Sequence, residues 1–149
     1  MRGALRAALC AALLLCCLAG CGASAVEEPA FFVEIVNDSG AAIHEVRYEY
    51  GLASEPLGGG GVRALGGRDA LVQGESLRID FTAKDFPDGT GDFKGFWIKL
   101  SVLLEEGGEP LEASPRLELS PEFGAVSAYA LTERDGALRA DPAKRGAPA

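Results

Sequence analysis

The segment IHEVRYEY, residues 43–50, decides the fold because its apolar and charged side chains alternate residue by residue. In an extended chain this spacing separates the two kinds onto opposite faces: Val46, Tyr48 and Tyr50 against Glu45, Arg47 and Glu49. A period of two predicts a half-buried antiparallel strand.

Four further stretches show the same period. They are FFVEIV at 31–36, SLRIDF at 76–81, GFWIKLSVLLEE at 95–106 and AVSAYALTERDGALRA at 125–140. The turn formers at 37–40 follow the first of them, so we expect 31–36 and 43–50 to form a hairpin. Asp135-Gly136 is a strong two-residue turn signal and predicts a last hairpin.

The run at 95–106 is the longest apolar one after the first twenty residues, so we place it centrally. Trp97 lies on its second face and either covers the other side of a central strand or anchors a partner. The second face also carries Leu103, and the first face carries five large apolar side chains: Phe96, Ile98, Leu100, Val102 and Leu104.

The segment from Gly51 to Gly67 breaks the pattern with seven glycines and one proline. We predict a connection without regular structure, either mobile or used for binding. A phosphate-binding loop is not expected, because neither the P-loop nor the dinucleotide spacing of glycines is present.

No stretch after residue 22 sustains a helical period over three turns, and turn signals recur about every 8 to 12 residues. The fold class predicted is all-β, a single small antiparallel β-sandwich of seven or eight strands, immunoglobulin-like or transthyretin-like. We place this domain at residues 30–140 and a frayed, disordered tail at 141–149.

The pattern of the first twenty residues predicts that the protein is exported. Two arginines within the first six residues precede a run of twelve residues, Ala7 to Leu18, without a charge. A membrane-spanning helix needs about 20 apolar residues, whereas a shorter run that ends in small residues is typical of a signal peptide.

Leu18-Ala19-Gly20-Cys21 resembles the lipobox of bacterial lipoproteins. The resemblance implies diacylglyceryl transfer to Cys21 and cleavage before it, with residues 1–20 as signal peptide and 21–29 as a flexible tether. An ordinary cut near Ala23-Ser24-Ala25 is the alternative. The other cysteines, Cys10, Cys16 and Cys17, would leave with the signal peptide, so the domain would contain no disulfide.

The net charge of the chain and the length of the tether limit which partners the domain can have. All 22 acidic residues follow Cys21 and two of the 14 basic ones precede it, which gives the mature chain a net charge of 12 − 22 = −10. Such a chain repels nucleic acid. The eight residues 22–29 span at most roughly 28 Å, which keeps the domain near the bilayer. Gly22, rather than Asp, after the lipidated cysteine favours the outer membrane, facing the periplasm.

Candidate catalytic or metal-binding residues are few. His44 is the single histidine, which we expect to be a partly exposed strand residue, and zinc sites need three or four His and Cys ligands. Asp85, Asp88 and Asp92 share a loop that either binds calcium through carboxylate oxygens or is solvated. We therefore predict no catalytic residue, metal or cofactor.

Three functions remain open from these observations. The first is a non-enzymatic envelope module that binds a protein partner, with palmitate and other acyl chains on Cys21 holding it to the membrane. The second, a special case of the first, is an accessory lipoprotein of a secretion or outer-membrane assembly machine. The third is a carboxylate-dependent enzyme that acts on an envelope polymer.

Overall fold

The computed structural model describes residues 30–64, 69–87 and 93–143. This part of the chain is all-β, and its strands form two sheets that pack against each other as a sandwich. The strands are β1 (Phe31–Asn37), β2 (Glu45–Leu52), β3 (Glu55–Arg63), β4 (Ser76–Phe81), β5 (Phe96–Leu103), β6 (Leu111–Glu112), β7 (Leu117–Glu118), β8 (Val126–Arg134) and β9 (Ala137–Pro142), with a short 3-10 helix at Ala83–Asp85.

One sheet has four strands in the order β4-β1-β8-β9, in which β1 and β8 run parallel. The other has the order β3-β2-β5, with the short strands β6 and β7 both on the far side of β5. The central position predicted for the run at 95–106 is confirmed, and so is the last hairpin, β8–β9. Asp135 and Gly136 connect it with positive φ angles of 53° and 75°.

An aromatic cluster fills the end of the sandwich where β1 begins. The ring of Phe31, which is fully buried, lies 4.8 Å from that of Phe93 and 5.0 Å from those of Phe81 and Phe96. Alternation along β1, β4 and β5 directs Phe31, Phe81 and Phe96 inward, as the period of two predicts, and Phe93 precedes β5. Leu104 is an exception, because it lies beyond the end of β5 and is 43% exposed.

The hairpin predicted between 31–36 and 43–50 is wrong, since β1 and β2 belong to different sheets. Asn37 explains the crossing. Its side chain is fully buried and donates to the carbonyl oxygens of Ala41 and Leu71, both at 2.8 Å, while its Oδ1 accepts the backbone N–H of Ser39. The turn formers therefore carry the chain from one sheet to the other instead of folding it back.

The prediction for 51–67 is also wrong over most of its length, because β3 occupies residues 55–63. The described residues form nine strands rather than seven or eight, because β3 lies in the segment predicted to be irregular and two short strands, β6 and β7, both follow β5. Strand β9 continues through Pro142, two residues past the predicted domain boundary, and pairs there with Tyr129. The signal peptide, the tether and residues 144–149 lie outside the described residues.

Candidate binding site at a glycine edge

Strand β3 ends the five-stranded sheet, and four consecutive glycines, Gly58–Gly61, fill its middle. All four are exposed, and they pair with β2 from Tyr50 to Arg47. Glycine weakens a strand interior because it has no side chain to pack. Neighbouring side chains must therefore hold this strand in place.

Two tyrosines of β2 cover the inner face of β3. A Cβ added at Gly58 would lie 3.0 Å from the ring of Tyr50, and one added at Gly60 would lie 3.0 Å from the hydroxyl oxygen of Tyr48. Aromatic side chains that lie over strand glycines stabilise them by replacing the missing packing. Burial, followed by the charge of Asp85, raises the pKa of both tyrosine hydroxyls, so both stay neutral.

A charged cluster holds the outer face of the same strands. Glu45 is buried, with a side chain only 11% exposed, and its two carboxylate oxygens accept hydrogen bonds from Arg47 Nε at 2.8 Å and Arg63 Nε at 3.0 Å. These bonds hold the pKa of Glu45 below its usual 4.5. A Cβ at Gly61 would collide with the Glu45 carboxylate, and one at Gly59 would collide with the carbonyl oxygen of Tyr48.

A shallow groove of about 470 Å³ opens beside Gly59 on this outer face. Lys99 and Glu112 form an ion pair of 2.7 Å within it, and the hydrogen bond to Glu112 raises the pKa of Lys99. The lining therefore presents both signs of charge along a strip of bare backbone. Arg47, Glu49 and Ser101 also line the groove.

The free edge of β3 can be assigned from the register. The N–H and C=O of Leu100 both bond to the segment after β6, so they point away from β2. Tyr48 lies opposite Leu100 and must direct its own N–H and C=O toward Gly60 on β3. Because these groups alternate along a strand, those of Gly59 and Gly61 face outward, where no described strand pairs with β3.

His44 lies just before β2 and is half-buried. Its Nδ1 is 3.0 Å from the carbonyl oxygen of Asp69, and its Nε2 is buried and has no hydrogen-bond partner among the described residues. The prediction of a partly exposed histidine is confirmed, but His44 precedes the strand instead of lying in it.

Asp85 closes the 3-10 helix. Its Oδ2 accepts hydrogen bonds from the backbone N–H of Thr82 at 2.7 Å and from the Thr82 hydroxyl at 3.0 Å. Asp88 and Asp92 lie outside the described residues. Over 30–64, 69–87 and 93–143, no group of three or more His, Cys, Asp or Glu side chains is arranged to hold a metal ion.

Trp97 covers the outer side of β5, the first of the two roles that its position predicts. It is 8% exposed, the guanidinium of Arg116 lies 4.7 Å from the centre of its ring, and a Cβ at Gly51 would contact the ring at 2.6 Å. Arg116 also donates to the carbonyl oxygen of Ala53. A cation over an indole face stabilises both groups, so this tryptophan packs within the chain.

Cys21 and the lipobox lie outside the described residues, and lipidation there stays a prediction. Among the residues that are described, no helix is long and apolar enough to cross a membrane.

Comparison with known proteins adds little. No protein-family model and no curated protein matches the chain. A solved structure of a disulfide-locked mutant of intermedilysin with human CD59 aligns with 75% of this chain at 10% identity and a TM-score of 0.35. The aligned part spans 23% of that structure's chain, and a TM-score this low does not establish a shared fold.

Proposed function

We propose that the chain is a lipoprotein of the bacterial cell envelope, anchored through acyl chains on Cys21. The proposal rests on Leu18-Ala19-Gly20-Cys21 placed directly after a basic start and a short apolar run. Two or more acyl chains give stable anchoring where a single one gives only reversible binding. Gly22 supports a location in the outer membrane, facing the periplasm.

Labelling with palmitate in cells tests the anchor. Cys21→Ser removes the thiol that accepts the lipid, so we expect no label and an uncut precursor. Cys17→Ser is the matched control, because it changes a cysteine of the same segment that the lipobox does not use, and it should label like the wild type. Incorporation into Cys21→Ser at the wild-type level would contradict the proposal.

We further propose that the domain is a non-catalytic module that binds an extended segment of a partner protein along β3. The supporting observation is the outward-facing backbone of Gly59 and Gly61, which has no side chain to keep another strand away. Extended peptides add to such sheet edges through main-chain hydrogen bonds, and adjacent pockets select their side chains. The groove beside Gly59 would serve as such a pocket.

Photo-crosslinking in intact cells tests the binding edge. A benzophenone amino acid in place of Glu49 puts the crosslinker in the groove, and one in place of Arg139 puts it on the exposed face of β9 as a control. We expect a crosslinked product of one size from position 49 and none from 139. The same products from both positions, or none from either, would overturn the assignment. The identity of the product would show whether the partner belongs to a secretion or assembly machine.

A further inference from the structure

The tip of one turn carries the most exposed of the large apolar side chains that the structure describes. Phe123 is 74% exposed and lies in the turn from Glu122 to Ala125, which closes with a 2.9 Å hydrogen bond from the N–H of Ala125 to the carbonyl oxygen of Glu122. Gly124 has a φ of 76°, a value that a glycine adopts without strain. The turn therefore fixes Phe123 on the protein surface without packing it.

This turn is bonded to the point where the chain enters the domain. The N–H of Gly124 donates to the carbonyl oxygen of Ala30 at 2.6 Å, and the N–H of Phe32 donates to that of Ala125 at 2.9 Å. Ala30 is the first described residue, and nine residues back along the chain is Cys21. A fully extended chain of that length reaches at most roughly 30 Å.

We propose that Phe123 is a second membrane contact, which inserts into the bilayer that carries the lipid anchor. This inference rests on the proposed lipidation of Cys21, because the anchor is what brings the bilayer to this end of the sandwich. A lone phenylalanine binds a membrane too weakly to hold a protein there. Once the acyl chains tether the domain, however, the contact becomes intramolecular and its effective concentration is high.

The contact would fix which end of the domain faces the lipid. With Phe123 in the interface, the beginnings of β1 and β5 lie near the membrane and their other ends project into the periplasm. Leu104 follows the far end of β5, about 26 Å from Phe96 along the strand direction. Glu122, beside Phe123, is acidic, so apolar insertion rather than attraction to anionic lipids must drive the contact.

Tryptophan quenching by brominated phospholipids tests this orientation. The lipidated full-length protein is reconstituted in vesicles of phosphatidylethanolamine and phosphatidylglycerol with or without bromine on the acyl chains. Its single native tryptophan, Trp97, is buried and gives the baseline. Phe123→Trp adds a reporter at the turn, and Leu104→Trp, another exposed apolar position, is the matched control at the opposite end.

We expect bromine to remove more than half of the emission that Phe123→Trp adds over the wild-type baseline, whereas the emission that Leu104→Trp adds over it is kept. Raising the salt concentration should change neither result. Quenching of Leu104→Trp equal to or greater than that of Phe123→Trp would overturn the proposal. The absence of quenching in Phe123→Trp would also overturn it, and is the result expected if the turn binds a protein instead. Palmitate labelling of the same preparations separates the two proposals. A protein that carries palmitate but shows no quenching refutes only the membrane contact.

Discussion

Strands β3 and β5 flank β2 on its two sides, yet they are held in the sheet by different means. The inward side chains of β5, from Phe96 to Val102, are fully buried, so the residues that make it a strand are its own. The middle of β3 is four exposed glycines, which are covered by Tyr48 and Tyr50 of β2. A strand can thus be specified by its own sequence or by that of its neighbour.

The largest effect should follow from removing a side chain that β5 supplies for itself. Phe96→Ala opens a cavity within the ring cluster, and we expect it to lower the free energy of unfolding by about 3–5 kcal/mol. Urea denaturation of the wild type and the variant measures this. Lys99→Ala, on the outer face of the same strand, should cost much less. A loss below about 1 kcal/mol for Phe96→Ala, outside the range expected for a buried phenylalanine, would mean that β5 is not central to the core.

A smaller effect should follow from giving β3 a side chain. In Gly59→Ala the new Cβ would collide with the carbonyl oxygen of Tyr48. Because that oxygen belongs to the backbone, the collision is relieved only if one of the two strands moves. We expect a loss of about 1–3 kcal/mol in urea denaturation, the range of overpacked sites. Gly40→Ala is the control, because nothing lies within 4 Å of its added Cβ. Equal stability of the two variants would show that β3 does not pack against β2 as described.

The smallest effect concerns the charged cover of Gly61. The pKa of Glu45 is lowered in the folded protein, so its ion pairs stabilise the fold above about pH 4.5 and are lost as the pH falls through the lower folded value. We expect Glu45→Gln to cost about 1 kcal/mol at pH 7. The difference from the wild type should shrink toward pH 3, as measured by denaturation at both pH values. Glu122→Gln, which removes a carboxylate from an exposed turn, is the control and should change the stability little.

Much of the sandwich could be predicted because the period of two is visible in the side chains of β1, β2, β4, β5 and β8. The pairing of β1 could not, because turn formers such as Asn37 look the same whether the chain folds back or crosses to another sheet. The crossing depends on the buried hydrogen bond from the Asn37 side chain to the carbonyl oxygen of Leu71, a contact 34 residues away that no local pattern indicates.

The candidate site was the least predictable part, because glycines carry no period. The sequence signal for β3 lies in its partner strand β2. Tyr48 and Tyr50 both face inward there, and their rings need a neighbouring strand without side chains to pack against. The turn into β3 was also inconspicuous, since Ala53, with a φ of 48°, stands where glycine is more usual. The ion pair between Glu45 and Arg63 joins residues 18 apart in sequence, and no local pattern indicates it.

Amide hydrogen exchange resolved at single residues tests the central claim, that β3 is an ordered edge strand held by β2. The register directs the N–H groups of Gly58 and Gly60 toward β2 and those of Gly59 and Gly61 toward solvent. We predict slow exchange at Gly58 and Gly60, approaching that of β5, and fast exchange at Gly59 and Gly61. Uniform rates at the four glycines, whether fast or slow, would contradict the account.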